Sequence, residues 1–397
     1  MRRIYAQWML MALLTLALSL TASCALAQVK VDWVEETAGN SRLYYPAVSG
    51  LEDEIVQGKV NMAIEMGLSV ENARLTLERI RARGGESEGE RALWMDASVF
   101  QKDQLLSIAV TRRGEQADGS LGESATAMVF DLSTGERITM DALFQDAPAA
   151  YAKMESIIET EILGELNTYM ENADLLPMPR DQFYVDAFGI TVFYPTERYS
   201  LFSGSAGACQ FYYYELEELL DRESELGKSL FVQNQPTDPA KDIRAAIASG
   251  AFPNWTADVR LGEPVGAYLD AYTLLTDPDY TLESRVYLFE EPQLRGMSLE
   301  TWLYAECEEE EAPLTAIRAQ RIDLYGIRPG ITTLAECEQL LGEPDSRTTR
   351  DADDAVDMML EPGDSLWYIS GGNTLEIHAD GSGVVSCLIL YDGERKA

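Results

Sequence analysis

The segment Ile327–Asp345, IRPGITTLAECEQLLGEPD, constrains this chain more than any other stretch. A short apolar entry leads into the Pro329-Gly330 turn. A helix follows with Leu334, Cys337, Leu340 and Leu341 on one face, and Gly342 and Pro344 stop it. A weaker copy, LGEPVGAYLDAYTLLTDPD, occupies Leu261–Asp279. In register, Leu274, Leu275, Pro278 and Asp279 fall on Leu340, Leu341, Pro344 and Asp345. Asp270 and Asp277 fall opposite Glu336 and Glu343. Each copy reads as one helix followed by strands. The first carries Ser284–Phe289, Met297–Ala305 and Leu314–Tyr325, and the second carries Ser365–Ser370, Thr374–Ala379 and Val384–Tyr391. The last third is therefore expected to be two tandem helix-plus-meander modules, 255–326 and 327–397.

A chain of 397 residues is long enough for two to three domains, each with its own core. With 46% apolar and 25% charged residues it is globular. A formal net charge of −36 argues against nucleic acid and anionic membrane surfaces as partners. It favours a cationic partner, or serves solubility alone.

The N-terminus reads as a targeting segment, 1–27. Arg2 and Arg3 precede the apolar run Trp8–Leu20, and Ala25-Leu26-Ala27 before Gln28 forms an A-x-A cleavage site. Leu20-Thr21-Ala22-Ser23-Cys24 also resembles a lipobox, in which Cys24 would be acylated. A third reading is an uncleaved anchor, since Trp8–Ala27 is long enough to span a bilayer. The first makes the protein secreted, and the second anchors it by lipid on the outer face of the membrane. After the segment four cysteines remain, Cys209, Cys307, Cys337 and Cys387. Outside the cytosol an even count permits disulfides. Cys337 and Cys387, on the helix and a strand of one module, are the candidate pair; buried free thiols are the alternative.

In chain order, Val29–Glu35 alternates as a strand. Leu51–Leu68 is helical, with Leu51, Ile55, Met62 and Met66 on one stripe, and Ser69–Arg83 continues as a second helix. Strand-like runs follow at Ala92–Phe100, Leu105–Arg112 and Ala125–Asp131, with a glycine-rich loop between the last two. Ala147–Asn172 is the longest helical pattern, and Phe183–Asp186, Gly189–Pro195 and Cys209–Tyr214 read as strands. Strands flanking long helices predict an α+β domain with an antiparallel sheet over 28–232. Gln233–Asp238 reads as a linker, and the helix after it completes the segment 233–254.

Two resemblances attach to these patterns. Phe130-Asp131-Leu132-Ser133-Thr134-Gly135-Glu136-Arg137-Ile138-Thr139 and the run from Phe183 through Gly189–Tyr194 and Gly204–Gly207 to Phe211–Leu219 carry the first. Together they are similar to the extracytoplasmic domain of lysozyme-sensing anti-sigma factors, which also precedes the catalytic domain of some peptidoglycan deacetylases. Leu121-Gly122-Glu123-Ser124-Ala125 stands where relatives often carry Gly-Ala-His, and only seven residues precede the apolar run, so a sigma-binding segment does not come with the likeness. The tandem modules resemble the small domain of the outer-membrane assembly lipoprotein and its doubled form in the β-lactamase inhibitor protein. What the resemblances imply is an envelope-exposed domain that binds a protein such as lysozyme, or wall material, through an open sheet face.

Catalytic constellations are scarce. The chain has one histidine, His378, and no cysteine pair with metal-ligand spacing. Cys387 falls on the strand after His378, an adjacency expected of any hairpin. No nucleophile elbow, P-loop or dinucleotide fingerprint is present. Glu306–Glu311 and Asp351–Asp357 read as solvated acidic runs, and Val356 stands where a calcium loop needs glycine. The aromatic run Phe211-Tyr212-Tyr213-Tyr214 holds the candidate binding residues, Phe211, Tyr212 and Tyr214, because alternate strand positions face opposite sides. The reading is a secreted or cell-surface, non-catalytic binding protein without metal or cofactor, recognising a protein or cell-wall ligand. A carboxylate-dependent, glycan-active accessory protein is the alternative. Membrane contact is expected only through the signal segment or lipidated Cys24.

Overall fold

The computed structural model describes residues 29–82, 92–115, 121–158, 178–194, 208–231, 238–253, 259–272, 274, 279–280, 284–289, 297–302, 309–352 and 360–394. The signal segment with Cys24, Cys307, the Gly204–Gly207 turn and most of the Gln233–Asp238 linker lie outside them. So do residues 159–172 of the long helical pattern and most of the two acidic runs. The architecture is α+β with antiparallel-rich sheets. The chain divides into two compact units, Met1–Ile138 and Thr139–Ala397.

The first unit starts with the hairpin β1 (Lys30–Ala38) and β2 (Ser41–Ser49). Helices α1 (Glu54–Gly67) and α2 (Val70–Ala82) follow. Asp53 caps α1, its carboxylate accepting from the Ile55 and Val56 amides at 2.8 and 3.2 Å. The two helices carry the chain to β3 (Ala92–Lys102), which pairs parallel with β2, as a helical crossover allows. Then β4 (Leu105–Glu115), β5 (Leu121–Asp131) and β6 (Glu136–Arg137) complete a six-stranded sheet in sequence order. The β4–β5 ribbon runs further than the apolar pattern: Arg113 pairs with Glu123 and Gly114 with Gly122, inside the expected loop. Backbone hydrogen bonds hold that extension, and they leave no hydrophobic period to read. In the Asp131–Gly135 turn the Asp131 carboxylate takes the Ser133 amide at 2.8 Å and the Thr134 hydroxyl at 3.1 Å, and Gly135 turns at φ +70°. Leu43, Val60, Ile64, Leu77, Leu93, Ile108 and Phe130 form the core between helices and sheet.

The second unit opens with α3 (Ala147–Ile157) and a three-stranded sheet, β7 (Phe183–Val185), β8 (Gly189–Phe193) and β9 (Ala208–Tyr212). Helices α4 (Glu225–Leu230), α5 (Pro239–Ser249) and α6 (Gly266–Ala271) lead to β10 (Asp279–Tyr280), β11 (Ser284–Tyr287), β12 (Met297–Trp302) and β13 (Leu314–Ala319). Next come α7 (Leu334–Leu341), β14 (Ser346–Arg350), β15 (Gly363–Ser370), β16 (Asn373–Ala379) and β17 (Val385–Tyr391). Thr333 and Glu336 close a capping box on α7, and Gly342 ends it at φ +81°. These strands form one eight-stranded sheet in the order β10-β11-β12-β13-β17-β16-β15-β14. Two meanders thus meet at their last strands, Ala316 against Tyr391 and Ile317 against Leu390. The modules are halves of one sheet.

The expected boundary near residue 232 is corrected. Tyr212 and Tyr214 share a core with Ile243, Leu299, Ile317, Cys337 and Leu375. Arg321 donates to Glu215 at 2.9 and 2.8 Å and to the Gln210 carbonyl at 2.9 Å. Arg328 reaches Glu217 at 2.8 Å. These contacts place β7–β9 in one unit with the meanders. The division falls at Ile138/Thr139 because packing defines a unit, and a polar stretch of sequence does not by itself end one.

Candidate functional site

The sequence-predicted binding aromatics are interior. Phe211, Tyr212 and Tyr214 are all buried: the first two because β9 is covered on both faces, and Tyr214 in the short 3-10 turn Tyr213–Leu216 that follows it. Tyr212 and Tyr214 stack at 5.6 Å, and the Arg321 and Arg328 guanidiniums lie 5.4 and 5.6 Å from their ring centroids. Tyr213 is also buried, its hydroxyl donating to the Asp186 carbonyl at 2.8 Å. The cluster is a junction within the second unit, and the reading of these residues as a ligand surface is corrected.

The Cys337–Cys387 pairing is corrected as well. Both thiols are unbonded and buried. Cys337 points from α7 into the main core, beside the residues that β15–β17 turn to that side. Cys387 packs with Trp367, Ile389 and Tyr391 on the opposite side of the sheet. Strand alternation puts the sheet between them. Burial pushes the Cys337 thiol up to about 12 and the Cys387 thiol up to about 11.

His378 sits in a buried polar network on that opposite side. Its Nδ1 lies 2.9 Å from Ser365 Oγ, and its Nε2 lies 2.8 Å from the Glu361 carbonyl. Ser365 Oγ also lies 2.7 Å from Glu376 Oε1. The Glu376 carboxylate further accepts from Arg350 Nη2 at 2.7 Å, Arg350 Nε at 3.2 Å and the Tyr391 hydroxyl at 2.8 Å. Serine, histidine and glutamate are present, but in the wrong order for nucleophilic catalysis. Here the serine bridges the other two, whereas a triad needs the histidine in the middle. The serine has one proton to give, and both of its acceptors, Glu376 Oε1 and His378 Nδ1, are buried. His378 and Cys387 are cross-strand partners, as the hairpin requires. The arrangement satisfies a buried carboxylate and presents no nucleophile to solvent.

Among the described residues, no three His, Cys, Asp or Glu side chains come together as a metal-binding group. Among them, too, no helix is long and apolar enough to cross a membrane.

What the first unit does present is apolar surface. On α1, Ile55 is 83% exposed, Met62 56% and Met66 67%. Spacings of seven and four residues align them on the side away from Val60 and Ile64, which are the residues α1 buries. The helical period was legible, but its Ile55/Met62/Met66 stripe faces outward. Exposed Glu52, Glu54 and Glu65 flank it. On the strand side, Trp33 of β1 is 43% exposed and stacks on Tyr44 of β2, with ring centroids 4.7 Å apart and an interplanar angle of 4°. The Arg42 guanidinium covers the Tyr44 ring at 4.1 Å.

No family model and no curated protein matches the sequence. Several solved structures are similar in parts, among them the three that follow. A DUF3298 family member from Bacteroides fragilis NCTC 9343 shares 14% identity over 49% of this chain and 94% of its own, with a TM-score of 0.36. A DUF3298 family protein from Pseudomonas aeruginosa PAO1 shares 13% over 49% and 94%, with a TM-score of 0.35. A DUF4309 family protein from Bacillus subtilis strain 168 shares 11% over 38% and 95%, with a TM-score of 0.29.

Both exposed features escaped the sequence reading for one reason. A stripe of Ile and Met at helical spacing, and aromatics in alternating strands, are the patterns of a core. The one signal available was a second apolar stripe on α1, Val60 and Ile64, competing for the same sheet. A helix laid on a sheet buries one stripe only.

Proposed function

We propose that this chain is a secreted, non-catalytic binding protein of a bacterial envelope that engages a cationic protein through the outer side of α1. The exposed Ile55/Met62/Met66 stripe carries the reading. Three large apolar side chains aligned on the solvent side of a helix, flanked by Glu52, Glu54 and Glu65, are complementary to a basic amphipathic segment. Methionine adapts to varied partner surfaces. The net charge of −36 speeds encounter with such a partner, and the N-terminal segment and the likeness to lysozyme-sensing domains support an envelope setting.

The test is binding of the mature chain, 28–397, to lysozyme by calorimetry at low and at physiological salt. The comparison is with an Ile55→Ser/Met62→Ser/Met66→Ser variant. Burying one such side chain is worth about 1.5–3 kcal/mol, so the variant is expected to bind at least about tenfold more weakly at physiological salt. Unchanged affinity in the variant, or binding that vanishes at physiological salt, overturns the proposal. Hydrolysis of wall glycan that a carboxylate substitution abolishes overturns its non-catalytic part.

A further inference from the structure

A second surface of the first unit has a different chemistry. Trp33 and Glu35 of β1 and Arg42 and Tyr44 of β2 lie on the face opposite Leu43 and Tyr45, which point into the core. Glu35 pairs directly with Tyr44, which sets Trp33 diagonal to that ring and lets the two stack. The order along the ladder is indole, phenol, guanidinium, with spacings of 4.7 and 4.1 Å. Arg42 is fixed at its end by two carboxylates: Nε donates to Glu35 Oε1 at 3.1 Å and Nη1 to Asp96 Oδ1 at 3.4 Å. The indole is held parallel to the phenol on one face, and the residue remains 43% exposed.

We infer that this ladder is a binding platform for a neutral polysaccharide, with a pyranose ring stacked on the outer face of Trp33 and its hydroxyl groups taken by Glu35, Asp96 and Arg42. The C–H-lined face of a pyranose is apolar, flat and weakly positive, and it suits the electron-rich face of an indole. Glu35 Oε2 and Asp96 Oδ2, the oxygens not facing Arg42, are acceptors for hydroxyl donors, and a guanidinium has five N–H groups of which these two bonds use two. An anionic ligand is disfavoured by the net charge of −36. Arg42 offsets one of the two adjacent carboxylates, which leaves the cluster one net negative charge, so a polycation is the competing ligand that the titration must separate from a saccharide. The stack holds Trp33 in place before binding, which lowers the ordering cost. The inference rests on the binding-protein reading, but not on α1, and its ligand is uncharged.

The experiment titrates the mature chain, 28–397, with N-acetylglucosamine hexasaccharide at high salt, following tryptophan fluorescence and calorimetry. Trp33→Ala, Trp33→Tyr and Glu35→Gln are compared, with thermal unfolding as the check on folding. Polylysine is titrated in parallel. The expected result is saccharide binding that high salt leaves intact. Trp33→Ala should weaken it at least about tenfold, Trp33→Tyr should restore most of it, and Glu35→Gln should weaken it severalfold. Absence of saccharide binding by the wild-type chain, equal binding by Trp33→Ala, or a response to polylysine alone overturns the inference. The Ile55→Ser/Met62→Ser/Met66→Ser variant is expected to bind saccharide normally, so loss of protein binding through α1 and loss of glycan binding through Trp33 are read separately.

Discussion

Replacing Arg321 by methionine removes the charge that ties β9 and the turn after it to the meanders, while keeping the aliphatic stem. The arginine and Glu215 side chains are only 10% and 11% exposed. Three hydrogen bonds disappear together: two to Glu215 at 2.9 and 2.8 Å, and one to the Gln210 carbonyl at 2.9 Å. Glu215 then retains the Tyr212 amide, at 2.8 Å, as its remaining partner among these contacts. Breaking one side of a buried ion pair costs about 3–5 kcal/mol, because the orphaned charge stays desolvated. Some access to water at Glu215 favours the lower end of that range. For a unit of this size each kcal/mol lowers Tm by about 2 °C, so a fall of about 6 °C or more is expected. Thermal unfolding of wild type, Arg321→Met, Glu215→Gln and the double variant measures the fall in Tm, and urea unfolding measures the free energy. The double variant should be more stable than Arg321→Met, because no charge is left buried without a counter-charge. A loss in Arg321→Met below about 1 kcal/mol, the level of a surface ion pair, would refute the argument that this contact joins the parts of the second unit.

Further expectations follow from buried groups elsewhere. Burial raises the Asp186 carboxyl to about 6, against the Phe188 and Gly189 amides that bond it. Its unfolded value is about 3.9, so the folded state binds the extra proton between these values and stability is lost as pH rises through about 6. Asp186→Asn should therefore raise Tm at pH 7.5 and leave it unchanged near pH 4. His378 has the opposite sign. Burial holds it below its ordinary value, with the Glu361 carbonyl, Ser365, Glu376, Arg350 and Arg318 around it. Its contribution is full above about pH 6.5 and falls as the unfolded chain takes up the proton below that, and His378→Gln should flatten the urea midpoint between pH 7.5 and 5.5. Gly371 turns at φ +61°, and a Cβ there would lie 2.5 Å from Ala248 Cβ, whereas at Gly372, φ +90°, it would meet nothing within 4 Å. Gly371→Ala should cost about 2–4 kcal/mol in a urea titration and Gly372→Ala about 1–2, the difference being the clash with α5. Peptide mapping without reductant should find no Cys337–Cys387 cross-link, and both thiols should resist alkylation until the chain unfolds.

Local rules carried the element types and little beyond them. The Pro329-Gly330 turn, the apolar face of Leu334, Cys337 and Leu341, and the stop at Gly342 announce α7, because turns and helix ends are matters of a few consecutive residues. Three strands of each module were legible from their alternation, and the edge strands β10 and β14 were not. The helix register read between the copies did not hold: Leu340 and Leu341 lie inside α7, whereas α6 ends at Ala271 and Leu274 bridges to Phe289. The candidate surfaces were not legible. Phe211 and Tyr212 read as exposed on one side because strand alternation supposes a single covered face, and β9 is covered on two, while Tyr214 has left the strand for the 3-10 turn after it. Cys337 and Cys387 read as neighbours in one module, and the sheet lies between them.

The sequence by itself determined that this chain is acidic, that it opens with a segment read for export, and that it makes an α+β fold ending in a doubled meander. Each of these follows from composition or from contacts within a few residues. Only the tertiary structure decided that the meanders fuse at β13 and β17 and that β7–β9 belong with them. It alone settled which of two apolar stripes on α1 meets the sheet. The physical reason is that burial belongs to pairs of elements: Ile55, Met62 and Met66 are as apolar as Val60 and Ile64, and their exposure follows from which stripe the sheet already covers.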